Sequence, residues 1–208
     1  MNTINLNFIN HSNDTGNNVV VIFQNNHAQG QDETVVAWKV IANCGIGDNH
    51  PFTFPSQVTV SFNDSFGNFS PQLEAVPGDA FSVEKSSTGD VLTKSKNPAK
   101  VPAEIEVTNN LSMGAIDINC YRDGKLLSTC LGIVPAQMGA FQFKPTIYIG
   151  AIPQMEEGEI MNAAIVSEIN TEISLLGISG ADIVMKGGGT GPQAMPFTFT
   201  LTNIKYAQ

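Results

Sequence analysis

At 208 residues the chain is long enough to bury a substantial core, and an all-β sandwich of this length forms one domain by default. Ten basic against nineteen acidic residues give a net charge of −9, and Arg122 is the only arginine. That balance excludes nucleic acid as a partner and disfavours anionic membrane surfaces, because both need clustered Lys and Arg. Charged residues make up 14% of the chain, below the roughly one quarter of an ordinary globular domain. Charge is depleted where protein packs on protein, so the composition predicts faces that meet other surfaces.

The opening Met1-Asn2-Thr3-Ile4-Asn5 has no basic region followed by an apolar run, and no window approaches the length of a membrane-spanning helix. The expectation is a chain that stays in the cytoplasm or leaves by a route independent of an N-terminal signal. Ile4-Asn5-Leu6-Asn7-Phe8 then alternates apolar and polar residues, the period of a strand with one buried face. A turn at His11 to Asn17 leads to Val19-Val20-Val21-Ile22-Phe23, whose unbroken apolar run predicts a central strand covered on both sides. A third strand is expected over 34–42.

The breaker-rich segment Asn43 to Phe52 reads as a loop, followed by a strand at 57–62, a turn at Asn63 to Pro71, and short strands at 72–76 and 80–85. Residues 86–102, weakly patterned and carrying Lys94, Lys96 and Lys100, read as a mobile loop or an interdomain connection. Strands are expected again at 103–108, 115–121, 125–130 and 139–145, with a turn at Arg122-Asp123-Gly124. Between Glu156 and Leu176 helix competes with strand: Ile165, Ile169, Ile173 and Leu176 recur at helical spacing, but Asn, Thr and β-branched residues oppose it. A strand at 181–185, a loop through Gly187-Gly188-Gly189-Thr190-Gly191-Pro192 and a final strand complete the chain. In that last strand, Pro196-Phe197-Thr198-Phe199-Thr200-Leu201-Thr202 alternates without a slip and predicts a half-buried ribbon.

These elements define a mainly β protein: an antiparallel β-sandwich, Ig-like or jelly-roll-like, with at most one short helix near 158–174. One domain over 1–208 is expected, or a sub-division into 1–85 and 103–208 joined by the 86–102 loop. Cys44, Cys120 and Cys130 are an odd number and favour reduced thiols. Cys120 and Cys130 flank a turn and bridge only if their register brings them opposite one another.

Motifs for chemistry are weak. Cys44 and His50 share one loop, the minimum for nucleophilic catalysis or a soft metal site, but their spacing has no known signature and no orienting group can be named. His11, His27 and His50 lie in separate loops and lack metal-ligand spacing, and the glycines at 187–191 lack the trailing lysine of a phosphate cradle. No enzyme, metal or cofactor is expected. The candidate ligand-binding residues are Trp38, Asp48, Asn49 and His50, an indole with planar polar groups that suits a sugar, although alternation of Val36, Trp38 and Val40 favours a core indole. The expected role is surface recognition or homo-oligomeric self-assembly, with another protein or a glycan as the alternative partner. A lectin-like module is the second reading. A pore-forming hairpin over 81–93 is the third, disfavoured because Glu84, Lys85 and Asp90 interrupt its apolar face, so stable membrane insertion is not expected.

Overall fold

The computed structural model describes residues 3–28, 34–169 and 171–207. Met1 and Asn2, and Asn170 in the segment where helix and strand compete, lie outside the described residues. In chain order the elements are β1 (Thr3–Asn10), β2 (Val19–Phe23), β3 (Val35–Val36), β4 (Lys39–Ile41), β5 (Asn49–Pro55), β6 (Val58–Asp64), β7 (Leu73–Ala75), β8 (Ala80–Ser86) and β9 (Gly89–Lys94). There follow β10 (Ile105–Asn109), β11 (Ile116–Arg122), β12 (Lys125–Ile133), β13 (Met138–Phe141), β14 (Thr146–Ile152), β15 (Ile160–Met161), α1 (Ala163–Glu168), β16 (Thr171–Ser174), β17 (Ile178–Gly188) and β18 (Met195–Tyr206). The protein is mainly β, with one short α-helix, as the alternation of its sequence predicts.

Two compact units divide the chain where the sequence reading has one sandwich domain: residues 1–24, 36–56 and 145–208 form the first, and 25–35 and 57–144 the second. The loop expected over 86–102 is in part strand. That segment lies inside the second unit, and β9 within it pairs antiparallel with β8 from Phe81 opposite Lys94 to Ser86 opposite Gly89. Ion pairs Lys85–Asp90 (3.0 Å) and Lys94–Asp79 (2.7 Å) hold the charges that the weak apolar pattern left unexplained.

The first unit stacks two four-stranded sheets, β18-β17-β1-β5 and β16-β14-β2-β4. Ile4, Leu6 and Phe8 are buried while Thr3 and Asn5 face outward, so the period of two in β1 is the period of its burial. β2 is central and has Val20 to Phe23 all buried, as its unbroken apolar run requires. Each of these side chains contributes roughly 2 kcal/mol by leaving water.

The second unit holds the sheet β13-β10-β8-β9 and the run β12-β11-β6-β7, with Val35 of β3 opposite Ser128 of β12. The two sheets meet where the Cys130 Sγ of β12 lies 3.7 Å from the Ala140 carbonyl of β13. β1 pairs with β17 and β8 with β10 in parallel, whereas pairs such as β17 with β18 and β11 with β12 are antiparallel.

Several expectations are corrected. The loop expected over 43–52 gives way at Asn49 to β5, an edge strand whose Pro51 and Pro55 are tolerated because the outward amides of an edge need no ladder partner. The strand expected over 34–42 breaks at Ala37 and Trp38; there Ala37 N donates to Glu159 O (2.9 Å) and accepts Gly158 N (2.8 Å) on its carbonyl, leaving the ladder. β14 was not foreseen, because Gly150 and Ala151 dilute its apolar pattern. The helix is six residues long, capped by Asn162, whose Oδ1 accepts Ile165 N at 3.0 Å. Ile173 belongs to β16, so the helical spacing of the isoleucines spans two different elements.

The last strand differs most. β18 pairs with β17 along its length, yet Phe199 is its only buried residue, and it lies at the edge of its sheet. Near the end of β17, just before the hairpin turn, Gly187 has φ +95°, and a Cβ there would stand 2.1 Å from the Pro196 carbonyl oxygen. Gly187→Ala should therefore destabilise the first unit by on the order of 3 kcal/mol, combining left-handed strain with a backbone clash. A urea titration checks this as a lower midpoint at unchanged slope.

Candidate functional site

The residues expected to bind ligand part company in the structure. Trp38 is 1% exposed and packs edge-on to Phe54 (centroids 5.6 Å, 86° between planes) and Phe52 (6.4 Å, 65°), so no face of the indole is open to a sugar. Asp48, Asn49 and His50 do come together, around a polar cleft of about 340 Å³ that Asn43 and Cys44 also line.

The buried Asn10 at the end of β1 shapes this loop. Its Nδ2 donates to the Cys44 carbonyl (2.7 Å), its backbone N donates to Asp48 O (3.0 Å), and its carbonyl accepts Gly47 N (2.7 Å). Asp48 Oδ2 accepts Gly45 N at 3.0 Å, closing the turn on itself, and Asn17 Nδ2 reaches Asn43 Oδ1 at 2.9 Å. His50 sits in β5 opposite Phe8 of β1. The polar side chains here largely hold the loop's own backbone, which accounts for the Asn and Asp content by local folding.

The chemistry of the loop runs against a nucleophile. Burial pushes the Cys44 thiol above its ordinary pKa, and the negative charge of Asp48 pushes it the same way, so neither neighbour favours the thiolate that attacks. Cys120 and Cys130 are buried in the second unit and are both pushed up to about 12 by desolvation. They are not bridged: Cys130 stands opposite Ile118 and Cys120 opposite Ser128, so the register never sets one thiol across from the other. Among the described residues no group of three or more His, Cys, Asp or Glu side chains is placed to hold a metal.

A different feature carries more information, and it is a backbone surface. Most sheet edges in the protein are short or guarded: β4, β7, β13 and β16 have three or four residues, β5 carries two prolines, and β9 carries Asp90 and Lys94. β18 runs for twelve residues, and from Met195 to Ile204 it bears no charge. Thr198, Thr200 and Thr202 are exposed, as are Met195 (66%) and Tyr206 (70%). Among the described residues no strand pairs with its outer side. The alternation at 196–202 was legible in the sequence; its place at an edge was not, because period two reports the buried face and says nothing of neighbours.

No family model, curated protein or solved structure matches the chain.

The three thiols should resist modification in the folded state. At pH 8 a thiol reagent is expected to label Cys44 slowly and Cys120 and Cys130 only after denaturant is added, because a raised pKa keeps each protonated. The Cys44 rate should still be climbing above pH 9, its ordinary value, and mass spectrometry of alkylated peptides across pH checks both expectations.

Proposed function

We propose that the protein acts without catalysing a reaction, as a self-assembling β-sandwich protein whose copies join through the outer edge of β18. The observation that carries this reading is the long, charge-free, unguarded edge itself. An open edge presents a row of N–H and C=O groups to any passing strand, and soluble proteins ordinarily blunt such edges with charge, proline or shortness. Those devices guard the other edges here, and β18 goes without them over residues 198–202, the stretch in unbroken register with β17. The low overall charge of the chain agrees with a surface that packs on protein.

The natural occupant is a second β18 running antiparallel, which joins two four-stranded sheets into one continuous sheet. The exposed threonines would then meet across the strands on one face, and half-buried Phe197 and Leu201 would gain cover on the other. A strand from another protein could use the same edge.

Sedimentation velocity should show concentration-dependent association of the 22.2 kDa chain between about 1 µM and about 1 mM. A strict monomer over that range overturns the proposal. Thr200→Lys with Thr202→Lys places two charges on the open edge without touching the core, so it should weaken association by at least about tenfold while leaving the circular dichroism unchanged. Undiminished association of that variant would place the contact elsewhere.

A further inference from the structure

The outward face of the sheet β18-β17-β1-β5 is a trough rather than a flat surface. Gly180 on β17 sits opposite Asn5 on β1, and a Cβ there would lie 3.1 Å from the Asn5 carbonyl oxygen, so the missing side chain leaves a floor between the strands. β17 and β18 slip register on both sides of this point, between Ile178 and Gly180 and between Gly180 and Asp182. Such bulges bend a sheet and re-aim its side chains, and they recur next to binding sites. The resulting groove has a volume of about 770 Å³, within the range of small-molecule sites.

Its walls are hydrogen-bonding groups held in place. Asp182 accepts Asn7 Nδ2 at 3.2 Å through Oδ1 and Asn203 Nδ2 at 2.5 Å through Oδ2, so one carboxylate orients two amides from two different strands. Asn5 and Lys205, both exposed, add polar groups, and Thr3, Leu6, Pro51, Ser179 and Ala181 complete the lining. Phosphate and sulfate esters do not suit this set, since one ammonium group shares the groove with a carboxylate in a chain of net charge −9. Apolar peptides do not suit it either, because no aromatic side chain lines it.

The Asp182 carboxylate and the exposed amides of Asn5 and Asn203, beside one ammonium, supply acceptors and donors that match vicinal hydroxyls, while Asn7, whose Oδ1 is buried, has only its Nδ2 to offer. We infer that this groove is a binding site for a neutral oligosaccharide, built from Asn5, Asn7, Asp182, Asn203 and Lys205. The site differs from the loop around Asp48 and His50, and it does not depend on pairing through β18. Without an aromatic platform the affinity comes from hydrogen bonds alone, so binding is weak per site.

Nitrogen-15 NMR of the intact chain with cello-, malto- and manno-tetraose, each added to about 10 mM, tests the inference. At least one sugar should shift the side-chain amides of Asn7 and Asn203 saturably. Asp182→Ala, which releases both amides, should weaken that titration by about tenfold or more, and Asn203→Gly, which keeps the left-handed backbone of that exposed position (φ 50°), should weaken it with the rest of the spectrum unchanged. Silence of these amides with all three sugars overturns the inference, as does a saturable response confined to residues outside the groove. Sedimentation of the same samples keeps this result separate from self-association: an assembling protein with silent amides fails only the saccharide site.

Discussion

The position of β1 governs the rest of the first unit. It lies between β17, in parallel register from Asn5 opposite Gly180 to Asn10 opposite Met185, and β5, in antiparallel register from Thr3 opposite Pro55 to Ile9 opposite Asn49. Leu6 and Phe8 are 2% and 0% exposed, so sliding β1 by one residue would turn both into water and bring Asn5 and Asn7 into the core. That exchange would cost several kcal/mol for the apolar pair alone, and the register is fixed accordingly. One locked strand thus sets the polar face of the trough, the anchor that Asn10 provides to the 43–50 loop, and the place of β17.

From β17 the constraint passes to the edge. Asn13, just beyond β1, donates its N–H to Gly187 O (2.7 Å) and accepts Gly189 N on its carbonyl (2.8 Å), tying the β17–β18 turn to the β1–β2 connection. A side chain at Gly187 or Gly188 would run into the backbone of Pro196 or of Asn13 and Asp14, so close approach as well as turn geometry demands glycine there. β18 is consequently held along its inner side by a ladder that is unbroken from Thr198 to Thr202, and at its start by a braced turn. An edge fixed in this way presents its outer amides and carbonyls in order, which lowers the entropy lost when another strand adds to it.

The architecture was legible wherever burial follows period two. β1, β2 and the Arg122-Asp123-Gly124 hairpin lie where alternation, an apolar run and a turn signal put them. What escaped the sequence is what pairing decides. β9 has almost no apolar alternation and is held by its ladder to β8 and by two ion pairs, and β5 begins among turn-forming residues because β1 offers it a partner. The boundaries of the two units were hidden for a related reason: each unit is assembled from separate stretches of chain, so no single linker marks the division. Of the candidate site, the grouping of Asp48, Asn49 and His50 could be read from adjacency alone, and the core place of Trp38 from its alternation with Val36 and Val40, whereas the break of its strand at Ala37 and Trp38 could not. The trough was invisible for a sharper reason: Asn5 and Asn7 look like the ordinary solvent face of a strand until Gly180 and Asp182, some 175 residues away, stand beside them.

The open edge and the trough share β18, and the geometry of pairing relates them. Two strands that run antiparallel side by side in one sheet are exchanged by a two-fold axis perpendicular to that sheet, which keeps the same face of each copy on the same side. A dimer joined through β18 therefore presents both troughs on one surface, and Asn203 and Lys205 place each trough beside the seam. Under both proposals, two weak sites so arranged on a rigid sheet would engage a repetitive polymer at high effective concentration, with an avidity about a hundredfold or more above the affinity of either site. In such a dimer, hydrogen bonding without an aromatic platform, too weak for a useful monomeric receptor, would be sufficient. A charge-free edge is consistent with that arrangement, because any Lys or Glu between Phe197 and Ile204 would oppose both the joining of two copies and the close spacing of their grooves.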